Sequence, residues 1–180
     1  MIQRMITILI CCACIGCAAK KNAVSPEKIA ALHTLLKSKN IHINAERAYP
    51  MMSNAMQQVF NSELLGPNNS GRAIDITSTT NYIKIAGDSL YVALPFFGEL
   101  QSGAITSGTD ISISFKGKPL KYTSTYNAQK KTYKLQIGFK TKRERFNMYI
   151  SLFSNGTTNI NVLSSHRSSI SYRGAVDKKE

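Results

Sequence analysis

The alternation of apolar and polar residues divides the chain into a short helical part and a long part with strand periodicity. Residues 26–38 carry apolar side chains at helical spacing, and they follow Ser25 and Pro26, which suit an N-cap and a first helical position. This pattern predicts one amphipathic helix over residues 26–38. A second, weaker helical pattern runs from Asn54 to Leu65 and stops at Gly66-Pro67.

From Ile74 onward the period changes from helical to two. Apolar residues alternate with polar or small ones in runs at 83–85, 90–94, 111–115, 120–122, 133–139, 146–152 and 160–162. Short turn signals separate these runs, and Asn155-Gly156 is a strong hairpin signal. The pattern predicts a mainly β domain: an antiparallel meander of about eight to ten strands, rolled into a barrel or sandwich, with one or two helices N-terminal to it.

All four cysteines lie near the N-terminus, in and just after an apolar run from Met5 to Ile15 that follows Arg4. The run is much shorter than the roughly 20 residues that a membrane-spanning helix needs, so it predicts an export signal. Ile15-Gly16-Cys17 resembles the junction at which bacterial lipoproteins are cleaved and lipidated, and Ala13-Cys14 is a poorer second candidate. We therefore expect lipidation of Cys17, with an ordinary cleaved secretory signal as the alternative.

This interpretation fixes the expected domain organisation and cellular address. Residues 1–16 are a lipoprotein signal peptide, residues 17–24 a polar tether, and residues 25–180 a single mostly β domain. The length after cleavage favours one domain with a real core. No cysteine follows Cys17, so the exported domain forms no internal disulfide. We expect a protein held at the outer membrane by its lipid and facing the periplasm.

Residues that could carry chemistry are sparse. The three histidines are isolated from one another and from the cysteines, which predicts neither a metal site nor a cofactor. Gly87-Asp88-Ser89-Leu90 spells the signature of an esterase family whose serine is the nucleophile. A strand pattern follows the motif, and the chain has no D-x-x-H to supply a base, which favours a hairpin turn. The sequence predicts a non-catalytic protein, unless the fold brings distant residues together.

Positive charge is concentrated in the C-terminal third. The chain has 23 Lys or Arg and 10 Asp or Glu, and the excess is greatest beyond Lys116. Strand alternation places Lys121, Lys134 and Lys140 on outward positions. Nucleic acid is a poor partner for an exported protein, whereas anionic lipid or acidic glycan is a better one. Solubility and protection of edge strands remain the alternative explanation for the lysines.

Two blocks of sequence carry a resemblance to a known family. "NYIKIAGDSLYVALPFFGEL" and "FSNGTTNINVLSSHRSSISYRG" resemble the domain of unknown function 4251 family of Gram-negative envelope lipoproteins. The resemblance spans about residues 41–175, and Phe96-Phe97 stands where the family block has Tyr-Phe. It implies a small, single-domain lipoprotein with no assigned activity, substrate or catalytic residue.

The same blocks have a physical interpretation. Pro95 ends a strand because it lacks a backbone donor, and Phe96 and Phe97 then bury a corner, while Tyr172 and Gly174 belong to a last strand. Lining a ligand pocket is the alternative role for Phe96, Phe97 and Tyr172. We therefore expect a binding or accessory module for a small apolar ligand or a protein partner. The alternative is a structural envelope protein that docks on anionic lipid or glycan through its lysine-rich face.

Overall fold

Ten antiparallel strands and two helices make up the part of the chain that the computed structural model describes, which is residues 25–62, 72–101 and 112–177. The helices are α1 (Pro26–Ser38) and α2 (Asn54–Asn61). The strands are β1 (Asn40–Pro50), β2 (Ile74–Asp75), β3 (Tyr82–Ala86), β4 (Ser89–Leu94), β5 (Ile113–Gly117), β6 (Lys121–Asn127), β7 (Thr132–Lys140), β8 (Arg145–Phe153), β9 (Thr157–Ser164) and β10 (Ile170–Val176). The predicted signal peptide, the tether and Cys17 lie outside the described residues.

The strands form one sheet in the order β5-β4-β3-β1-β10-β9-β8-β7-β6, and β2 pairs with β1. Strands β6 to β10 follow one another as hairpins, which gives the predicted meander. The sheet curls so strongly that the ring of Phe115 on β5 lies 4.8 Å from the ring of Phe139 on β7. Strands β5 and β6 do not pair within the described residues, so the sheet is a half-barrel. The predicted fold class is confirmed.

Strand β1 joins the two parts of the sheet, and the sequence analysis did not predict it. It pairs with β3 on one side and with β10 on the other. Its buried residues alternate as far as Ala45 and then resume out of phase at Ala48, because the register with β10 shifts between Ala45 and Arg47. A bulge of this kind inserts one extra residue and breaks the period-two pattern on which strand prediction depends.

Helix α1 has the predicted bounds and packs on the sheet through Leu32 and Leu36, which are both buried. Nδ1 of His33 lies 2.6 Å from the hydroxyl of Tyr133 on β7, which fixes the helix against the second half of the sheet. Helix α2 begins as predicted, and Ser53 caps it by accepting a hydrogen bond from the Met56 amide. It ends at Asn61, and residues 63–71 lie outside the described part of the chain.

The inward side chains of the strands form one continuous apolar core. Ile41, Ile83, Ile137 and Phe139 have no solvent exposure, as expected where both sheet ends curl over the same interior. Leu120 departs from the pattern, since the sequence analysis put it in phase with inward strand residues. It precedes β6 and is 67% exposed.

Candidate functional site

A pocket of about 260 Å³ opens where the two ends of the curled sheet approach each other. We call it the seam pocket. Its apolar side is formed by Ile85, Leu90 and Ile137, which are almost fully buried, together with Pro119 and the half-buried ring of Tyr122. These residues come from β3, β4, β7, the β5–β6 loop and β6. The pocket therefore depends on the curl of the sheet.

The rim of the seam pocket is polar and mainly cationic. Lys39, Asp88 and Lys118 stand there, and Nζ of Lys39 lies 3.3 Å from a carboxylate oxygen of Asp88. Both side chains of that pair are more than half exposed, so their attraction contributes little to stability. Two lysines facing one aspartate leave a net positive charge at the entrance.

The turn between β3 and β4 shapes one wall of this entrance. Gly87 and Asp88 form the two-residue connection, and Gly87 has φ of 59°, a conformation that glycine adopts without steric cost. The Gly87 amide donates to the Lys39 carbonyl at 2.9 Å, which ties the turn to the end of α1. The hairpin interpretation of Gly87-Asp88-Ser89-Leu90 is confirmed.

The groups at the pocket suit the binding of a ligand. Burial raises the pKa of Tyr122, so its hydroxyl is a neutral hydrogen-bond donor or acceptor near pH 7. Ser89 opens β4 and pairs with Ala86. Within the described part of the chain, the residues that line the pocket include no histidine. The pocket can hold an apolar group against its floor while the lysines attract a polar or anionic end.

The three aromatic residues singled out from the sequence lie at a corner and do not line the seam pocket. Phe96 is 4% exposed and Tyr172 is 1% exposed, and Phe97 packs partly buried against the core. The Tyr172 hydroxyl donates to the Pro95 carbonyl at 2.7 Å. Core packing therefore accounts for the positions of Phe96 and Tyr172. Burial raises the pKa of Tyr172 far above the usual range.

An ion pair that the sequence analysis missed holds the same corner. Arg167 donates from Nε to both carboxylate oxygens of Glu144, at 2.9 and 3.0 Å, and both side chains are buried. Ser164 also donates to this carboxylate, at 2.8 Å, and the guanidinium lies 5.0 Å from the ring centre of Phe96. The two sequence blocks that carry the family resemblance therefore meet in space around one buried charge pair.

The pKa of Glu144 reflects two opposing effects. Burial raises the pKa, but hydrogen bonds from Arg167 and Ser164 and the charge of Arg167 lower it by more, so it lies below the usual value. The only sequence signal for this pair was a single acidic residue within a long basic stretch. Its partner Arg167 is 23 residues away, and the sequence does not indicate which of the many nearby lysines and arginines would pair with Glu144.

Lys121, Lys134 and Lys140 share the outer face of β6 and β7. Lys134 and Lys140 have the same phase on β7, and Lys121 pairs with Gly138 of that phase. All three are exposed, and no carboxylate of the described residues lies within 4 Å of their ammonium groups. The register thus brings these lysines to one surface.

Two other kinds of site are absent from the described part of the chain. Among the described residues, no group of three or more His, Cys, Asp or Glu side chains is arranged to hold a metal ion. Within the same ranges, no helix combines the length and the apolar character needed to cross a membrane.

The fold and the seam pocket define a class: a small half-barrel β protein with an amphipathic N-terminal helix. The family profile described as a domain of unknown function, DUF4251, matches residues 23–176, and the chain belongs to this family. A crystal structure of a DUF4251 family protein from Bacteroides eggerthii has a similar fold. The TM-score is 0.56 at 10% identity, over 86% of this chain and 89% of the other. A comparison with curated proteins found no match.

Proposed function

We propose that this chain is a lipid-anchored envelope protein, held at the outer membrane facing the periplasm, that acts as a non-catalytic binding module for a small apolar ligand. The seam pocket carries this proposal. It combines an apolar floor, a half-buried tyrosine and a cationic rim in one concavity, which is the usual composition of a small-molecule site.

The size and lining of the pocket favour a small ligand with one polar end. Apolar surface removed from water contributes about 25 cal/mol per Å². Because Ile85, Leu90 and Ile137 are already almost fully buried, that surface belongs mainly to the ligand itself and to the partly exposed Pro119 and Tyr122. Lys39 and Lys118 at the rim favour an anionic or strongly polar head group. The half-exposed position of Tyr122 lets its hydroxyl orient that head group.

The binding test compares two identical substitutions at different places. Tyr122→Trp adds bulk inside the seam pocket, and Tyr91→Trp is the matched control on the outer face of β4. We expect the first variant to bind the apolar dye N-phenylnaphthylamine about tenfold more weakly, or about 1.4 kcal/mol, and the control to bind like the unmodified chain. Equal binding by all three proteins would contradict the proposal. If only Tyr122→Trp loses affinity, native mass spectrometry of protein extracted from its own envelope would identify the natural ligand.

The anchor is tested separately. Ile15-Gly16-Cys17 supports lipidation at Cys17, and the family match begins shortly after it, at residue 23. Cys17→Ser should release the protein from membranes or stop its processing. Cys14→Ser is the matched control, because it leaves the Gly16-Cys17 junction intact, and it should stay membrane-bound. Retention and processing of Cys17→Ser like the unmodified protein would overturn the assignment.

A second candidate function, docking on anionic lipid or glycan, is favoured by the shared outer face of Lys121, Lys134 and Lys140. Each lysine near an anionic membrane surface contributes about 1 kcal/mol, and salt screens this attraction. Changing all three to Glu should abolish binding to phosphatidylglycerol vesicles. The matched triple change of Lys37, Lys84 and Lys116 to Glu alters the charge equally elsewhere and should retain most binding. Lipid-free protein that ignores these vesicles at low salt would exclude vesicle docking.

A further inference from the structure

A second concavity lies on the outer face of the sheet, opposite the core side. We call it the outer trough, and its volume is about 380 Å³. Its lining includes two outward tyrosines and uncharged polar or basic groups from β1, β8, β9 and β10, among them Tyr49, Tyr149, Asn159, Asn161, Ser171 and Arg173. The buried residues Ile160 and Tyr172 also contribute to it. None of these residues belongs to the seam pocket or to the lysine face.

The register of four strands builds the trough. Tyr149 pairs with Asn161, Asn161 with Ser171, and Ser171 with Tyr49, so these four residues form one row across the sheet. Three strand spacings separate the two tyrosines, which is about 14 Å. Because the residues between them are smaller, the tyrosines stand as walls at the ends of a polar floor. That span suits a short chain of rings better than a single small molecule.

A second row runs beside the first and adds positive charge. Ser151 pairs with Asn159, Asn159 with Arg173, and Arg173 with Arg47. The guanidinium of Arg173 therefore lies at the β10 end of the trough, and Arg47 stands beyond it on β1, where it also pairs with Asp75 of β2. In the described residues 112–177 the acidic side chains are Glu144, which is buried against Arg167, and Asp177, which lies beside His42. Arg173 therefore has no acidic neighbour on β8, β9 or β10, whereas Arg47 has Asp75 opposite it on β2.

The side-chain amides of the two trough asparagines are not used by the fold of the described residues. Asparagine is unfavourable in strands, yet Asn159 and Asn161 occupy consecutive outward positions in the middle of β9. Elsewhere the side chains of Asn81, Asn127 and Asn155 accept or donate hydrogen bonds that hold turns. Within the described part of the chain, Asn159 and Asn161 form no side-chain hydrogen bond, so their amides are free for a ligand.

The tyrosine wall on β8 is both accessible and held in place. Tyr149 is 42% exposed, and its hydroxyl accepts a long hydrogen bond from the side-chain amide of Gln136, at 3.4 Å. A tyrosine of this kind offers a flat apolar face to a partner while its polar end remains solvated. A pyranose ring has a matching apolar face of C–H bonds, and its rim of hydroxyls suits the amides of Asn159 and Asn161.

We propose that the outer trough binds a short acidic oligosaccharide laid across strands β8, β9, β10 and β1. The tyrosines stack on sugar rings, the asparagines exchange hydrogen bonds with hydroxyl or N-acetyl groups, and Arg173 binds a sugar carboxylate. A guanidinium matches the two oxygens of a carboxylate geometrically, which gives this end its selectivity. This inference goes beyond the proposed ligand of the seam pocket and does not depend on it.

The test uses the lipidated full chain in nanodiscs of neutral lipid, with binding measured by calorimetry. The probes are tetrasaccharides of galacturonate, of hyaluronan and of peptidoglycan strand that carries muramic carboxylates, each alongside its methyl ester. We expect at least one acid form to bind, and its ester to bind about tenfold more weakly. Failure of every probe to bind would overturn the inference.

Variants then locate the binding. Tyr149→Ala and Asn161→Ala should each weaken the acid form at least about tenfold, and Arg173→Gln should remove the preference for acid over ester. Tyr91→Ala, on the outer face of β4, is the matched control and should bind normally. The altered side chains are exposed, so thermal unfolding should confirm that each variant keeps its fold.

Two results would assign the affinity to another surface. Loss of binding in the Lys121, Lys134 and Lys140 triple variant, with normal binding by Tyr149→Ala, would show a general charge effect on the lysine face. Equal competition by anionic lipid vesicles in both the unmodified chain and Tyr149→Ala would identify a headgroup as the target. Either outcome overturns the trough as a glycan site.

Discussion

The two halves of the sheet treat their outer polar groups differently. In the half formed by β1 to β5, several surface side chains have polar partners: Nζ of Lys39 lies 3.3 Å from Asp88, and Nδ1 of His42 lies 3.2 Å from Asp177, which follows β10. Lys116 likewise lies 5.7 Å from the ring centre of Tyr91. In the half formed by β6 to β10, the outward lysines have no carboxylate within 4 Å among the described residues, and the amides of Asn159 and Asn161 are free.

The difference follows from where the acidic residues are. The acidic residue within β6 to β10 and its turns is Glu144, and the fold turns it inward to Arg167. The Glu144–Arg167 pair stabilises the corner around Phe96, and no carboxylate of these strands remains to neutralise the surface lysines and arginines. Polar side chains that bind one another stabilise the fold, whereas polar side chains without a partner in the protein can bind a ligand. Both the lysine face and the outer trough therefore lie mainly on the β6–β10 half.

The largest expected effect comes from breaking the buried pair of the β6–β10 half. Glu144→Ala leaves the Arg167 guanidinium buried without its carboxylate, and this should lower the free energy of unfolding by about 3–5 kcal/mol in urea titrations. The double variant Glu144→Leu with Arg167→Met removes both charges and should recover most of that loss. A single variant as stable as the unmodified chain would show that the pair does not hold the corner.

Acid should remove the contribution of Glu144 to the stability of the folded protein. The folded pKa of Glu144 is depressed, so the stability that its carboxylate contributes is fully present above the unfolded pKa of about 4.3. That contribution is lost as the pH falls through the folded pKa. The apolar double variant lacks this carboxylate and should lose less stability between pH 5 and the acid limit of about pH 2. Parallel stability curves for the two proteins would contradict this assignment.

The junction between the halves gives the next effect. A Cβ atom at Gly174 would lie 2.0 Å from the carbonyl oxygen of Asn44, so Gly174→Ala forces β10 away from β1 and should cost up to about 3 kcal/mol. At Gly138 the nearest atom is the Cβ of Lys121, at 3.4 Å, and Gly138→Ala should change stability by less than about 1 kcal/mol. Urea unfolding of both variants decides this, and equal losses would refute the close approach.

The sequence predicted what alternation alone can report. The inward phase of β7 and the bounds of α1 follow from the spacing of apolar residues, and Gly87-Asp88 identified its turn. Strand β1 was not predicted, because its bulge interrupts the alternation of buried and exposed residues. The Glu144–Arg167 pair, the seam pocket and the outer trough were not predicted either, since each depends on which strands lie side by side. Register across four strands is a property of the whole sheet that no local pattern contains.

The smallest expected effect is a difference in sign between two charge removals, one from each half of the sheet. Asp88→Asn removes a paired charge from the β1–β5 half and should lower the free energy of unfolding by up to about 0.5 kcal/mol at low salt. Lys134→Gln removes an unpaired charge from a basic face, so relief of repulsion should raise stability by a similar amount. Both differences should shrink in high salt because screening acts on attraction and repulsion alike. If both changes destabilise the protein, Lys134 has an attractive partner, and the β6–β10 surface is less free than its geometry indicates.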